Sequence, residues 1–160
     1  MIRLGTSYGG WTIPKDNSLD KNSIIYCLGV GEDVSFDLSI QNLYGSNIIL
    51  IDPTTRAKYH YLEISNFIKS KKWAFNGNIQ PDYKSTIVDF KNVDLNKIKY
   101  IDLGVWNEKT ELKFYKQHNK NNVSQSLITN MFGDQYDIVN VDTLKNIMKR
   151  NNHTKIDLLK

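Results

Sequence analysis

Apolar positions in the first half of the chain change from a continuous run to a helical spacing. Residues 23–29 form a short apolar run that ends in glycine, which predicts a buried parallel strand. Residues 33–44 then place apolar side chains on one broad helical face, which predicts an amphipathic helix. Asp33 is the predicted N-cap of this helix, and Gly45 stands where a helix ends.

The same order of elements then repeats. Residues 47–51 predict a second buried strand, which ends at Asp52, and Thr54 or Thr55 is expected to cap a second helix. Residues 23–70 therefore predict a βαβα unit with parallel strands and right-handed crossovers.

The regions on either side of this unit give weaker patterns. Glycines and a proline punctuate residues 1–22, so we expect an irregular lead-in. Its Tyr8 and Trp11 either line the mouth of a cofactor site or, the alternative we favour, cover the core. Past residue 70 we expect strands at 72–75, 85–90, 100–106, 112–115, 136–141 and 155–160, turns at 76–78, 81–82 and 107–110, a loop over 117–135 and a helix capped by Asp142. The strands at 100–106 and 112–115 are expected to pair as a hairpin.

Together these elements predict one α/β domain with a mostly parallel sheet flanked by helices. The length of 160 residues fits a single domain. We divide it into the lead-in at 1–22, the βαβα unit at 23–70, and residues 71–160 with the remaining strands, the hairpin and a helix.

Composition narrows the class of protein further. Hydrophobic residues make up 40% of the chain and charged residues 24%, as in ordinary globular proteins. No apolar run approaches the roughly 18 residues of a membrane span, and the N-terminus does not resemble a secretory signal. We therefore expect a cytoplasmic protein without a membrane partner. The net charge of +4 is spread along the chain, so we do not expect nucleic acid as a partner.

Cysteine and histidine offer little chemistry. The single cysteine, Cys27, lies inside an apolar run and is interpreted as a buried structural thiol rather than a nucleophile. His60, His118 and His153 lie far apart, with none of the spacings of metal ligands, so we expect no metal site.

The segment CLGVGEDVSFD at residues 27–37 carries the candidate chemistry. Gly29 and Gly31 follow the first strand, and Asp52 stands about 20 residues later at the end of the second strand. A glycine loop followed by such an acid is typical of sites for dinucleotides or for S-adenosylmethionine. In both, the acid binds ribose hydroxyl groups.

The loop itself favours S-adenosylmethionine. A dinucleotide fingerprint needs a third glycine where this chain has Val34. Glu32 and Asp33 would also repel a pyrophosphate by about 4 kcal/mol per close charge pair at an effective dielectric constant of ~20. S-adenosylmethionine carries an ammonium and a sulfonium group, which carboxylates attract. The residues leave open a dinucleotide, and also an α/β domain without a cofactor in which Glu32 and Asp33 only cap the helix.

Six stretches, in this order, resemble the FkbM-type S-adenosylmethionine-dependent methyltransferases, and most closely their branch with a YGGW lead-in. They are YGGWTIP (8–14), CLGVGEDVSFDL (27–38), YGSNIILIDPTTRA (44–57), LGVWNEKTELKFY (103–115), NVSQSLI (122–128) and VDTLKNIMKRNNHTKIDLLK (141–160). The likeness covers nearly the whole chain and is weakest over residues 71–98.

The resemblance implies a Rossmann-like methyltransferase fold, S-adenosylmethionine as cofactor, and methylation of a hydroxyl group on a small molecule or glycan. Gly29 and Gly31 match the glycines beside the amino-acid end of the cofactor. Asp52 matches the acid that binds the ribose, and Pro53 and Thr54 follow it as in the family. No residue matches a known catalytic base.

Two further expectations follow from the resemblance. The family often has an acid where this chain has Cys27, and Glu32 or Asp33 would take over its contact with the cofactor's ammonium group. Asp102 is a candidate neighbour of the adenine, although strand alternation equally makes it a solvent-facing residue.

The family pattern continues past Lys160 with an Asp-x-Glu-Gly stretch. We therefore expect a naturally shortened protein or the N-terminal portion of a longer one, with an incomplete sheet, and the sequence leaves open whether this chain is active by itself. An open sheet edge would let two copies pair. The alternatives to a methyltransferase are a non-catalytic binding or interaction domain and, less favoured, an NAD-dependent oxidoreductase.

Overall fold

The protein has an α/β fold that contains a four-stranded parallel sheet, a four-stranded mixed sheet and a two-stranded antiparallel sheet. The computed structural model describes residues 1–16, 18–73, 80–88, 90, 92–119, 122, 124–128 and 134–160. The strands are β1 (Ile2–Leu4), β2 (Trp11–Ile13), β3 (Ile24–Leu28), β4 (Asn47–Ile51), β5 (Ile98–Ile101), β6 (Gly104–Val105), β7 (Thr110–Lys116), β8 (Gln125–Ser126), β9 (Tyr136–Asp142) and β10 (Leu158–Leu159). The helices are α1 (Ser35–Tyr44), α2 (Thr55–Ser70), α3 (Tyr83–Val88) and α4 (Leu144–Arg150), and a 3₁₀ turn covers Leu95–Lys97.

The described part of the parallel sheet has the strand order β10-β3-β4-β5, with every neighbouring pair parallel. Strands β3 and β4 are buried on both faces, and Cys27 pairs with Leu50 at their centre. A strand covered on both faces reads as a continuous apolar run. The predicted strands at 23–29 and 47–51 are therefore confirmed, and so is the burial of Cys27.

Helices cover both faces of this sheet. On one face, Ile25, Cys27, Ile48 and Leu50 pack with α1, α2 and α3 in a single apolar cluster. On the other face, Tyr26, Ile49 and Ile51 pack with Ile147 of α4. The βαβα unit at 23–70 is therefore confirmed as a parallel pair with both of its helices on one side.

Two helix caps agree with the sequence and two do not. The Thr54 side chain accepts a hydrogen bond from the amide of Ala57, and Gly45 ends α1 in the left-handed conformation, as predicted. Val34, not Asp33, is the N-cap of α1, and Thr143, not Asp142, is the N-cap of α4. In both wrong cases the predicted acid lies one residue earlier and binds a nearby amide from there.

The lead-in is more regular than predicted. Strands β1 and β2 pair antiparallel, with Ile2 opposite Ile13 and Leu4 opposite Trp11. Ile2, Leu4 and Ile13 pack against the main core, which holds this hairpin against α1. The prediction of an irregular segment over 1–22 is therefore wrong for β1 and β2.

Residues 71–98 also differ from the prediction. Residues 85–88 belong to α3 rather than to a strand, because Tyr83 and Ile87, four residues apart, are both buried against the core. The turn at 81–82 is confirmed. Residues 72–73 are not in a strand. Residues 74–75 of that predicted strand, and the predicted turn at 76–78, lie outside the described residues.

The predicted hairpin of 100–106 with 112–115 is wrong. The first run divides into β5, at the edge of the parallel sheet, and β6, which belongs to the mixed sheet of order β6-β9-β7-β8. A tight turn, in which the amide of Leu103 donates to the carbonyl of Ile101 at 3.0 Å, separates the two strands. Strand β9 then lies between β6 and β7, parallel to the first and antiparallel to the second.

The C-terminal elements largely follow the prediction. Strand β9 matches the strand predicted at 136–141, and the strand predicted at 155–160 is present as the two-residue β10. The segment predicted as a loop at 117–135 contains the short strand β8. A helix with the length and apolarity needed to cross a bilayer does not occur among the described residues.

Candidate functional site

A cleft of about 830 Å³ opens at the carboxyl ends of β3, β4 and β10. Helix α1 leaves β3 on one face of the sheet, whereas α4, which precedes β10, packs on the other face. The strand order therefore reverses between β3 and β10, and open α/β sheets bind their ligands outside such a reversal. The cleft is lined by seven predicted site residues: Gly29, Gly31, Glu32, Asp33, Asp52, Pro53 and Thr54.

The glycine loop after β3 depends on two left-handed residues. Gly29 has φ +69° and Gly31 has φ +59°, a region that residues with a side chain enter only at a cost. A Cβ atom at Gly29 would meet no atom within 4 Å, so this residue faces open space in the cleft. Gly29 is therefore required by its backbone conformation and not by crowding.

Asp52 links the two loops at the strand ends. Its Oδ2 accepts a hydrogen bond from the amide of Gly31 at 2.9 Å, and its Oδ1 accepts from the amide and hydroxyl of Thr54 at 2.8 and 2.6 Å. Only 5% of Asp52 is exposed. A carboxylate offers about four acceptor positions, so Asp52 retains one on Oδ2 for a ligand.

Glu32 is already paired. Its two carboxylate oxygens accept hydrogen bonds from Nε and Nη2 of Arg56 at 3.0 and 2.6 Å, which makes the ion pair bidentate. Arg56 Nη1 also donates to the carbonyl of Asn122 at 3.1 Å, which ties the glycine loop to the segment before β8. Part of the negative charge that we expected from the sequence is therefore compensated.

Asp33 points toward the lead-in. Its Oδ2 accepts from the hydroxyl of Thr6 at 2.5 Å and its Oδ1 accepts from the amide of Ser35 at 2.9 Å. Gly9 lies so close that a Cβ atom there would be 2.4 Å from the Cγ of Asp33. The carboxylate thus stands at the N-terminus of α1, where the helix dipole favours negative charge.

The loop's amide groups are largely committed to acceptors within the protein. Besides those of Gly31 and Ser35, the amide of Asp33 donates to the carbonyl of Val30 at 3.5 Å and that of Val34 to the Tyr83 hydroxyl at 3.3 Å. A pyrophosphate at a helix N-terminus binds through free amides of this kind. It would have to displace internal hydrogen bonds to bind here.

A buried histidine supports this loop from behind. The Nε2 of His60 and the hydroxyl of Tyr83 lie 2.5 Å apart, and Tyr83 in turn meets Val34. Burial lowers the pKa of His60 to about 4, so the imidazole is neutral at pH 7. Burial likewise raises the pKa of the Tyr83 phenol well above its usual value.

Lys160 is a cleft residue that sequence reasoning missed. It follows β10, and its Nζ lies 3.2 and 3.3 Å from the carboxylate oxygens of Asp37 on α1. Burial opposes its positive charge, but Asp37 and other nearby anionic groups outweigh this and raise the pKa of Lys160. The one available signal was Asp37, a charged residue among the apolar positions of α1.

Cys27 remains a structural residue. It is fully buried on β3, and burial raises the pKa of its thiol well above the usual value. The thiolate form that a nucleophile needs is therefore disfavoured, as the sequence indicated.

The described residues of the opposite wall of the cleft are neutral. Tyr8 and Trp11 of the lead-in line it with 67% and 55% of their surface exposed, so the expectation that they cover the core is wrong. The mixed sheet adds Phe114, Gln117, Ser124 and Gln125. The part of this wall that the structure describes offers aromatic faces, amides and hydroxyl groups, and it carries no formal charge.

Asp102 does not reach the cleft. It lies in the tight turn between β5 and β6, and its Oδ2 pairs with Nζ of Lys58 at 2.8 Å, with about half of each side chain exposed. It lines a second groove of about 670 Å³, together with Asp142 and Arg150. Asp102 therefore lies apart from the other candidate residues, in agreement with the solvent-facing alternative.

The described residues contain no cluster of three or more His, Cys, Asp or Glu side chains that could hold a metal ion. Comparison with known proteins gives no match: neither a family model, nor a curated protein, nor a solved structure is similar to the chain.

Proposed function

We propose that the cleft binds S-adenosylmethionine and that the protein is a methyltransferase of the FkbM type with a Rossmann-like methyltransferase fold. Its substrate would be a hydroxyl group of a small molecule or glycan. The proposal combines the sequence resemblance with a cleft at the strand ends of a parallel sheet. The glycine loop and the acid after the second strand both line that cleft.

The committed amides of the glycine loop are the observation that carries the choice of cofactor. The amides of Gly31, Val34 and Ser35 donate to Asp52, Tyr83 and Asp33. A dinucleotide needs such amides for its pyrophosphate, whereas a phosphate-free nucleoside does not. This argues against the NAD-dependent oxidoreductase.

The charges of the lining support a cationic ligand. Glu32, Asp33 and Asp52 are carboxylates, and Lys160 is the single cationic side chain among the described lining residues. Arg56 compensates Glu32 from outside the lining. What remains is a net negative surface that suits an ammonium and a sulfonium group.

Asp52 is the proposed ribose contact. Its remaining acceptor position on Oδ2 would take one ribose hydroxyl while the bonds to Gly31 and Thr54 persist. The resemblance implies that Asp52 binds the ribose. Because only one acceptor position is left, we propose that it binds one of the ribose hydroxyl groups and not both.

When bound, the cofactor supplies an electrophilic methyl group on a sulfonium sulfur; transfer to a hydroxyl oxygen leaves S-adenosylhomocysteine and one proton. The chain's contribution is to hold the two reactants in line and to limit water around them. The neutral wall with Trp11 and Phe114 would bind the acceptor. We name no base, since the described lining residues include no histidine and the three carboxylates among them already accept hydrogen bonds from neighbouring residues.

Calorimetric titration with S-adenosylmethionine, and separately with NAD, tests the cofactor. We expect saturable binding of the first and none of the second. In the Asp52→Asn variant we expect about 10- to 100-fold weaker binding, the value of one hydrogen bond to a charged group. Binding of NAD, or of neither ligand, would contradict the proposal. Labelled methyl transfer to a panel of sugars and small alcohols then tests the reaction.

A non-catalytic binding domain is the second candidate. It is favoured by the internal pairing of Glu32 and Asp33, which leaves few groups to act on a substrate. Binding of S-adenosylmethionine without any methyl transfer, in this chain and in a longer one, would support it.

A further inference from the structure

Lys160 and Asp37 form a charged pair that the binding of an adenosine group does not explain. Their side chains are only 8% and 0% exposed, and Nζ of Lys160 also lies 5.7 Å from the centre of the Phe36 ring. Removing two such charges from water is costly, and apolar residues of similar size usually replace a buried pair without loss of stability. The pair therefore calls for a role besides folding.

The contacts between Lys160 and Asp37 are long for an ion pair. The distances of 3.2 and 3.3 Å from Nζ to the two oxygens of Asp37 exceed the ~2.7–2.9 Å of a strong charge-assisted hydrogen bond. An ammonium group has three donors, and the two contacts with Asp37 leave one for a ligand. Asp37 thus holds the lysine in place and keeps it charged without saturating it.

The position of Lys160 indicates which part of a ligand it meets. The amide of Leu28, directly before Gly29, donates to the carbonyl of Lys160 at 2.9 Å, so the lysine stands beside the glycine loop. Other charged side chains in the described lining are carboxylates, which repel an anion. Among the described lining residues, Lys160 is the one cationic partner for an anionic group in this part of the cleft.

We propose that Lys160, held by Asp37, binds the α-carboxylate of the amino-acid part of S-adenosylmethionine and so selects nucleosides that carry this carboxylate. The inference rests on the proposed function. It explains how a negatively lined cleft holds a ligand with one anionic end.

The test compares S-adenosylmethionine with its decarboxylated form, which retains the ammonium and sulfonium groups. Calorimetry gives both affinities for the unmodified chain and for Lys160→Met. We expect the unmodified chain to prefer the carboxylated ligand by about 10- to 100-fold, the value of a charged hydrogen bond. In Lys160→Met that preference should fall to about onefold, because only the carboxylated ligand loses a contact.

Two controls keep the result clear. Lys160→Met leaves Asp37 buried without its partner, so the double variant Asp37→Asn/Lys160→Met removes the charge of both residues and should show the same lost preference. Lys58→Met makes the same substitution outside the cleft and should leave the preference unchanged.

The outcomes separate the two proposals. If the unmodified chain binds neither ligand, the proposed function fails, and this inference fails with it. If it binds S-adenosylmethionine but the preference is absent, or survives in both Lys160 variants, the inference is overturned and the proposed function stands.

Discussion

The two walls of the cleft are built in opposite ways. The wall at the ends of β3 and β4 consists of charged groups and left-handed glycines, and its carboxylates accept hydrogen bonds from neighbouring residues. The described side chains of the wall from the mixed sheet, such as Phe114 and Ser124, are neutral, and many of them are partly exposed. Asp33 and Asp52 of the first wall are buried, whereas Ser124 of the second wall is exposed.

This difference predicts where stability and binding are coupled. When a buried carboxylate is removed, the groups that donate hydrogen bonds to it are left without an acceptor. Substitutions in the first wall should therefore lower both the stability of the fold and the affinity of the site. Changes in the second wall should leave both the fold and cofactor binding nearly intact and alter only the choice of acceptor. Four predictions test this contrast.

Asp52→Ala should have the largest effect. It removes an acceptor shared by the amide of Gly31 and by two groups of Thr54, and we expect a loss of about 4 kcal/mol in the free energy of unfolding. Urea unfolding followed by circular dichroism measures it. The matched variant Asp102→Ala removes a half-exposed carboxylate outside the cleft and should cost under about 1 kcal/mol. Equal losses in the two variants would contradict the contrast.

Acid should weaken the first wall through His60. Its folded-state pKa is lowered to about 4 from 6.5, so below pH 6.5 the unfolded chain binds a proton that the folded chain does not. The neutral His60 therefore contributes fully to the free energy of unfolding above pH 6.5. This contribution, about 3 kcal/mol at most, is lost as the pH falls toward 4.

Urea midpoints at pH 7 and pH 5 measure this loss. In His60→Gln the decrease between these two pH values should be largely absent, because no group titrates at that position. A decrease of the same size in the variant and the unmodified chain would assign it to other residues.

Gly9→Ala should have an intermediate effect. A methyl group there would lie 2.4 Å from the Cγ of Asp33, and we expect about 2 kcal/mol of destabilisation from overpacking. Gly29→Ala instead meets open space at φ +69° and should cost about 1–2 kcal/mol through the backbone alone. Because the added methyl group of Gly29→Ala enters the cleft, this variant should also bind cofactor more weakly. Full stability in Gly9→Ala would refute the close packing of the lead-in.

Ser124→Ala should have the smallest effect. The residue is exposed on the second wall, so the free energy of unfolding should change by no more than about 0.5 kcal/mol. Cofactor affinity by calorimetry should also be unchanged. A change above about 1 kcal/mol would show that this wall contributes to the core in the way the first wall does.

The first wall was predictable because its signals are local. Strands β3 and β4 are buried on both faces, so their sequences are continuous apolar runs. The left-handed positions of the loop are occupied by glycines, Gly29 and Gly31. The mixed sheet gave no comparable signal. The break at Asp102–Leu103 contains neither glycine nor proline, and β9 enters between β6 and β7 from a distant part of the sequence.

The partners of the site residues were also invisible in the sequence. Thr6 meets Asp33 across 27 residues, and Lys160 meets Asp37 across 123. Periodicity describes which face of an element is buried, but not which distant residue lies against it. The sequence therefore located the acids and glycines of the site, whereas their hydrogen-bond partners required the structure.

The amide resonances of the glycine loop test the central claim most directly. In an isotope-labelled sample they are followed by NMR while S-adenosylhomocysteine and, separately, ADP are added. A cleft for a phosphate-free nucleoside predicts saturable shifts at Gly29, Gly31 and Thr54 with S-adenosylhomocysteine and none with ADP. Shifts at residues 31–34 caused by ADP, or an unaltered loop with both ligands, would contradict the account.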